Sequence, residues 1–120
     1  MHPSFGRLII YTKKISEMVD FYRTHFGFQE HRIEGDRIVE LRPSDGGFSI
    51  LLHPASKGQR DGQSLVKIVF DVEDVPAFCE QAKLRGLVFG SIHGADGYCY
   101  ANAKDPSKNS VTVSSRAFVT

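Results

Sequence analysis

The chain has 120 residues, 41% of them hydrophobic and 24% charged, with 15 Lys and Arg set against 14 Asp and Glu for a formal net charge of +1. That is ordinary globular composition in a length that suits one domain. The balanced, interspersed charges leave no basic stripe for nucleic acid, no apolar run approaches the ~20 residues of a membrane helix, and residues 1–6 lack the hydrophobic stretch of a signal peptide.

A cytoplasmic protein is therefore expected. Cys79 and Cys99 lack C-x-x-C spacing, so free thiols are expected rather than a disulfide or a zinc or redox site. Cys79 falls in a predicted helix near its apolar face and reads as a small buried hydrophobe.

Leu8, Ile9, Ile10 and Tyr11 form a short β-type run. Over residues 16–26 the period becomes helical, with Ile15, Met18, Val19, Tyr22 and Phe26 recurring at helix spacing and Gly27 as the stop. Residues 28–33, 37–42 and 48–53 read as strands, separated by turns at 34–36 and 43–47. Residues 54–64 are rich in turn and polar types and read as a surface linker.

The order then restarts. Residues 66–72 read as a strand, and Asp74 caps a helix that tolerates Pro76 in its first turn and stops at Gly86. Residues 87–92, 98–103 and 110–115 read as three more strands, with turns at 93–97 and 105–109. The expected architecture is α+β, a single domain over 1–120 made of two βαβββ modules, at about 5–55 and 65–117, repeating near ~60 residues. One such module covers one face of its sheet with its helix. Two curved sheets are expected to make a cup that buries a ligand.

Ile10-Tyr11-Thr12 and Val19-Asp20-Phe21-Tyr22-Arg23-Thr24-His25-Phe26-Gly27-Phe28 resemble the opening of the vicinal oxygen chelate superfamily, which includes glyoxalase I, bleomycin-resistance proteins, fosfomycin-resistance enzymes and extradiol dioxygenases. Phe70-Asp71-Val72-Glu73-Asp74-Val75-Pro76-Ala77-Phe78 resembles the family's second-module helix entry, and Gly97-Tyr98 with Lys104-Asp105-Pro106-Ser107-Lys108-Asn109 resembles its turn before the last strand. The resemblance spans nearly the whole chain. It implies the fold more than it implies an activity, since the fold hosts many chemistries.

Enzymes of that family hold a divalent metal on the first and fourth strands of each module. The resemblance places Arg7, Lys67 and Thr112 at three of the ligand positions, and Ile50 or, one residue on, Leu51 at the fourth. Zinc and transition-metal sites need imidazole, carboxylate or thiolate, and Arg is a cation at any working pH. No metal or other cofactor is therefore expected, with a divalent metal on relocated ligands (His53, Glu40, His31) as the alternative.

The mapping sets Arg7, Ile9 and Tyr11 in the cup, with Lys67, Val69 and Asp71 and with Ser110, Thr112 and Ser114. For the fourth strand, spacing puts Phe48, Ile50 and Leu52 inside, whereas amphipathicity puts Ser49, Leu51 and His53 inside. The second is preferred because helix burial is the larger energy, at ~1.5–3 kcal/mol per apolar side chain. Arg7, Tyr11, Leu51, His53, Lys67 and Thr112 are thus the ligand-binding candidates, suited to an anionic or aromatic small molecule. The competing reading pairs Arg7 and Lys67 with Asp71 or Glu40 in a polar interior. Glu40, as a general base, and His53 are the only catalytic candidates, while His2, His25, His31 and His93 read as surface or satisfied histidines.

The expected function is binding of a small molecule, as bleomycin-resistance proteins do, with a metal-dependent lyase, isomerase or dioxygenase as the alternative. The resemblance also implies a homodimer, with no nucleic-acid or membrane partner.

Overall fold

The computed structural model describes residues 2–95 and 97–119, and it divides into two compact units, Met1–Asp61 and Gly62–Thr120. In the first unit the order is β1 (Arg7–Thr12), α1 (Ile15–Phe26), β2 (Gln29–Arg32), β3 (Val39–Arg42) and β4 (Ser49–Pro54). Its sheet runs β1-β4-β3-β2, with β1 and β4 parallel and the other pairs antiparallel.

The helix forms where the apolar period predicts it. Met18, Val19, Phe21 and Tyr22 are buried, and Gly27 closes the helix in the left-handed region at φ 70°, donating its N–H to the Arg23 carbonyl. The core of this unit joins Met18 and Tyr22 to Ile10, Val39, Leu41, Ile50 and Leu52. Phe28 stands edge-on to Tyr22, ring centroids 5.8 Å apart. Fully buried Thr12 turns its hydroxyl to the backbone, accepting from the Lys14 N–H at 2.9 Å as the chain enters α1.

The second unit repeats the plan with β5 (Lys67–Asp71), α2 (Val75–Leu84), β6 (His93–Ala95), β7 (Tyr98–Lys104) and β8 (Ser110–Ser114), and its sheet runs β5-β8-β7-β6. Asp74 accepts from the Ala77 N–H at 3.0 Å and so caps α2, with Pro76 in the first turn. Ile68, Val75, Ala82, Leu87, Ala101, Val111 and Val113 are buried together as its core residues.

The turn before β8 is organised by Asp105, a nearly buried carboxylate. It accepts from the backbone N–H groups of Ser107 and Asn109, both at 2.9 Å, and from the Asn109 side-chain amide.

The strand predicted over 87–92 is not there. Leu87 is buried beneath the end of α2 and Phe89 meets Phe78 edge-on, but Val88 and Ile92 are exposed. Gly90 donates to the Asn102 carbonyl without starting a ladder. Leu87 and Phe89 pack at the helix instead of alternating across a sheet. The strand is β6, inside the stretch predicted as a turn: His93, Gly94 and Ala95 pair with Tyr100, Cys99 and Tyr98. The loop between them contains Gly97 at φ 88° and Asp96, which lies outside the described residues. Asp-Gly is a two-residue hairpin signal, and the longer run of turn types around it hides the short strand. Beyond β4 the Ala55 N–H donates to the Thr12 carbonyl, and the rest of the predicted linker carries no helix or strand.

Candidate functional site

Alternation along each strand decides which side chains are left for function. In the first unit Ile10, Val39, Leu41, Ile50 and Leu52 are buried on the α1 side. The opposite face carries the residues of the other parity. Arg7 stands across from Ser49, Ile9 from Leu51, and Tyr11 from His53. The second of these rows continues from Leu51 to Glu40 and from Glu40 to His31. Ser49, Leu51 and His53 therefore share the face of Arg7 and Tyr11. The spacing alternative for this strand is corrected, because Ile50 and Leu52 are fully buried.

Arg7, His31, Ile33, Asp36, Ile38, Glu40 and Leu51 line a hollow of about 120 Å³ on this face. The Arg42 Nε donates to Glu40 Oε2 at 2.7 Å. That bond, against a smaller opposing effect of burial, holds the Glu40 carboxyl below the usual carboxylate range, and the charges of Arg42, Arg7 and His31 reinforce it. An anion stabilised in this way is a poor proton acceptor, so the general-base reading of Glu40 loses its chemistry. Glu40 instead supplies a fixed negative charge between two arginines. His53 and Tyr11 lie ring to ring at 5.1 Å, with the His53 Nδ1 2.9 Å from the Pro54 carbonyl oxygen. Tyr11 is half exposed, an aromatic surface and not a core residue.

In the second unit Ile68, Ala101, Val111 and Val113 are buried on the α2 side, and the opposite face is polar. Lys67 stands across from Ser110 and Ser110 from Lys104; Val69 from Thr112 and Thr112 from Asn102; Asp71 from Ser114, Ser114 from Tyr100 and Tyr100 from His93. The Thr112 hydroxyl donates to Asn102 Oδ1 at 2.7 Å and the Lys67 ammonium donates to the same oxygen at 3.3 Å. Lys104 Nζ donates to the Ser110 hydroxyl at 2.8 Å. Farther along, His93 and Tyr100 have ring centroids 5.2 Å apart. The Arg116 guanidinium lies 5.5 Å from the centroid of the Tyr98 ring.

The predicted residues thus fall into two sets. Arg7, Tyr11, Glu40, Leu51 and His53 share one face of the first sheet, and Lys67 and Thr112 one face of the second. The predicted pairing of Lys67 with Asp71 is replaced by the bond to Asn102, and Arg7 acts on Glu40 through its charge. His31, named only as a relocated metal ligand, lies on the first of these faces, and Asn102, Lys104 and Tyr100 belong to the second and were missed. The alternation of Tyr100, Asn102 and Lys104 along β7 was the available signal.

The family resemblance implies a divalent metal at the positions held here by Arg7, Leu51, Lys67 and Thr112. These donors do not fit one. Two are cations, one is a hydrocarbon, and the fourth spends its hydroxyl proton on Asn102 while lying 4% exposed. Among the described residues no three His, Cys, Asp or Glu side chains gather as a metal-binding group.

No curated protein matches the chain in sequence. Solved structures do match in fold. TnmS3, an antibiotic binding protein from Streptomyces sp. CB03234, superposes with a TM-score of 0.76 at 19% identity, covering 94% of this chain and 96% of its own. A member of the glyoxalase/bleomycin resistance protein/dioxygenase superfamily from Sphaerobacter thermophilus DSM 20745 gives 0.75 at 17%, covering 94% and 97%. Lactoylglutathione lyase from Agrobacterium tumefaciens gives 0.71 at 18%, covering 92% of both chains. The sequence profile of the Glyoxalase/Bleomycin resistance protein/Dioxygenase superfamily matches residues 4–113, and the chain belongs to that superfamily.

Proposed function

We propose that this protein is a metal-free receptor that binds a small organic molecule and releases it chemically unchanged, acting in the cytoplasm as a homodimer. The observation that carries the reading is the chemistry of four positions. Arg7 and Lys67 offer hydrogen-bond donors and Leu51 an apolar contact where metal-dependent relatives need lone pairs, and the Thr112 hydroxyl is bonded to Asn102. Arg7 on the first unit's open face and Lys67 on the second's each suit an acidic group. Tyr11 against His53 and Leu51 beside Ile9 suit a flat or aromatic body. A structural relative described as an antibiotic binding protein supports the same class of ligand. No helix among the described residues is long and apolar enough to cross a membrane.

The test has two arms. Elemental analysis of the purified protein is expected to find no stoichiometric divalent ion. A panel of acidic aromatic compounds, antibiotics among them, is expected to raise the unfolding temperature, because a ligand bound only to the native state stabilises it by about 2.7 kcal/mol at one hundred times its Kd. Mass spectrometry of a bound compound after incubation is expected to return its original mass. One retained metal ion per chain, or turnover of the compound, would establish the rival metal-dependent lyase, isomerase or dioxygenase. A monomeric mass by light scattering at micromolar concentration would refute the dimer.

A further inference from the structure

We propose that the second unit carries a donor-only seat for an oxyanion, built by Lys67, Asn102 and Lys104 and set by Thr112. The inference rests on the receptor reading above and assigns it the chemical group that this face takes.

The orientation of Asn102 is the starting point. A lysine ammonium can donate but cannot accept. The Asn102 atom 3.3 Å from Lys67 Nζ must therefore be the carbonyl oxygen, not the amide nitrogen. The same oxygen accepts from Thr112 at 2.7 Å. With both donors on Oδ1, the amide cannot turn over without setting its N–H groups against an ammonium. Its Nδ2 is left with both protons, and among the described residues no acceptor is bonded to it.

The surrounding row adds only donors. Lys67, Ser110 and Lys104 stand in register on three adjacent strands, so the two cations flank the serine across about 10 Å of sheet. Lys104 donates to the Ser110 oxygen, which leaves the Ser110 proton free to point outward. Two ammonium groups, one amide NH₂ and one hydroxyl proton thus lie within two adjacent rows of this face. The carboxylate of this face, Asp71, sits four residues beyond Lys67 along β5, in the row of Ser114 and Tyr100.

A patch of this kind repels a cation and binds a carboxylate or phosphate, whose several lone pairs match several donors. It occupies the position of two residues at which related enzymes place metal ligands. The same site has therefore exchanged lone pairs that bind a cation for protons that bind an anion. Thr112 does not reach the anion itself. It is a positioning residue that acts through the Asn102 amide.

The experiment uses the intact chain, labelled with ¹⁵N, and titrates potassium phosphate, potassium acetate and potassium chloride at matched ionic strength. Phosphate, acetate or both are expected to shift the Asn102 side-chain NH₂ signals and the Ser110 amide saturably, while chloride does not; the tighter of the two names the natural acidic group. Asn102→Asp and Lys104→Met are each expected to weaken the response by ~10-fold or more, the loss of a hydrogen bond to a charged group. Lys104 is exposed, so its variant keeps the test valid if Asn102→Asp fails to fold. Thr112→Val is expected to move the Asn102 NH₂ signals before any anion is added and to weaken binding, and Thr112→Ser to restore both.

Saturable shifts that avoid Asn102, or Lys104→Met binding anions as tightly as the parent, would overturn the seat. A neutral aromatic compound, read by tyrosine fluorescence, separates the two proposals: its binding persists if only the seat is wrong, and phosphate binding persists if only the receptor reading is wrong.

Discussion

The turn before β8 supports the strand that carries Ser110 and Thr112, and Asp105→Ala tests how much depends on it. Asp105 and Ser107 are 4% and 2% exposed. The carboxylate's hydrogen bonds include four from Ser107 and Asn109, three of them on Oδ1. Alanine removes all four. The Ser107 N–H loses its carboxylate partner in a place water hardly reaches, at about 1–3 kcal/mol, while half-buried Asn109 recovers part of its loss from solvent. The sum is about 2–4 kcal/mol. With a urea m-value of about 1.5 kcal/mol/M, the unfolding midpoint should fall by about 1–3 M. Asp105→Asn keeps the three bonds to Oδ1 and loses one, so it should cost about 1–2 kcal/mol. A midpoint shift under about 0.5 M for the alanine variant at unchanged m would show that the carboxylate does not organise the turn.

Three further outcomes follow from named contacts. The Glu40 carboxyl is held low first by its bond from Arg42. Its stabilising contribution is therefore present above the ordinary carboxylate pKa and lost as pH falls through the lower folded value. The stability gap between parent and Glu40→Gln, under about 1 kcal/mol for a pair in contact with water, should close on acidification; a gap that widens in acid contradicts the assignment. Leu52→Ala, at a fully buried position under α1, should cost about 2–5 kcal/mol, whereas Leu51→Ala on the opposite face should cost about 1 kcal/mol or less, as read by urea unfolding. Burial, with smaller contributions from Cys99 and Glu80, pushes the Cys79 thiol up. Cys79 is half-buried rather than the fully buried residue the sequence suggests; iodoacetamide at neutral pH should modify it more slowly in the native chain than after guanidinium unfolding, and native labelling as fast as unfolded labelling in a peptide map would refute the raised thiol.

Features governed by short-range chemistry were legible in the sequence. Gly27 and Asp74 end and begin helices because a left-handed residue and a capping carboxylate act on their own neighbours. Ile50, Leu52, Val111 and Val113 announce the helix-facing parity of their strands because burial of an all-apolar set outweighs any other arrangement. Residues 87–92 failed for the complementary reason. Their apolar content predicts burial, but burial under a helix end and burial in a sheet draw on the same side chains, and no turn signal separates the two. Asn102 and Lys104 stayed hidden because their role depends on register. Nothing in either residue type says that it will stand beside Thr112 or Ser110; the β7–β8 pairing decides it.

The two units show how one repeat supports different surfaces. On the helix side the corresponding positions are interchangeable hydrocarbons: Leu8 answers to Ile68, Ile10 to Phe70, and Ile50 and Leu52 to Val111 and Val113. Packing demands volume and no polarity there, so the module is maintained whatever it binds. On the other side the rows have diverged in kind. Arg7 and Lys67 keep a cation in the first row of each unit, but the next row is Ile9, Leu51, Glu40 and His31 in one unit and Val69, Thr112 and Asn102 in the other. The first offers an apolar strip ending in an arginine-bound carboxylate, and the second a fixed amide among donors. Because alternating parity isolates these positions from the core, each can change without a folding cost of more than about 1 kcal/mol. Arg7 and Lys67 each hold a positive charge at the first row of their own unit's open face, where a change of side chain alters chemistry and leaves the packed side intact.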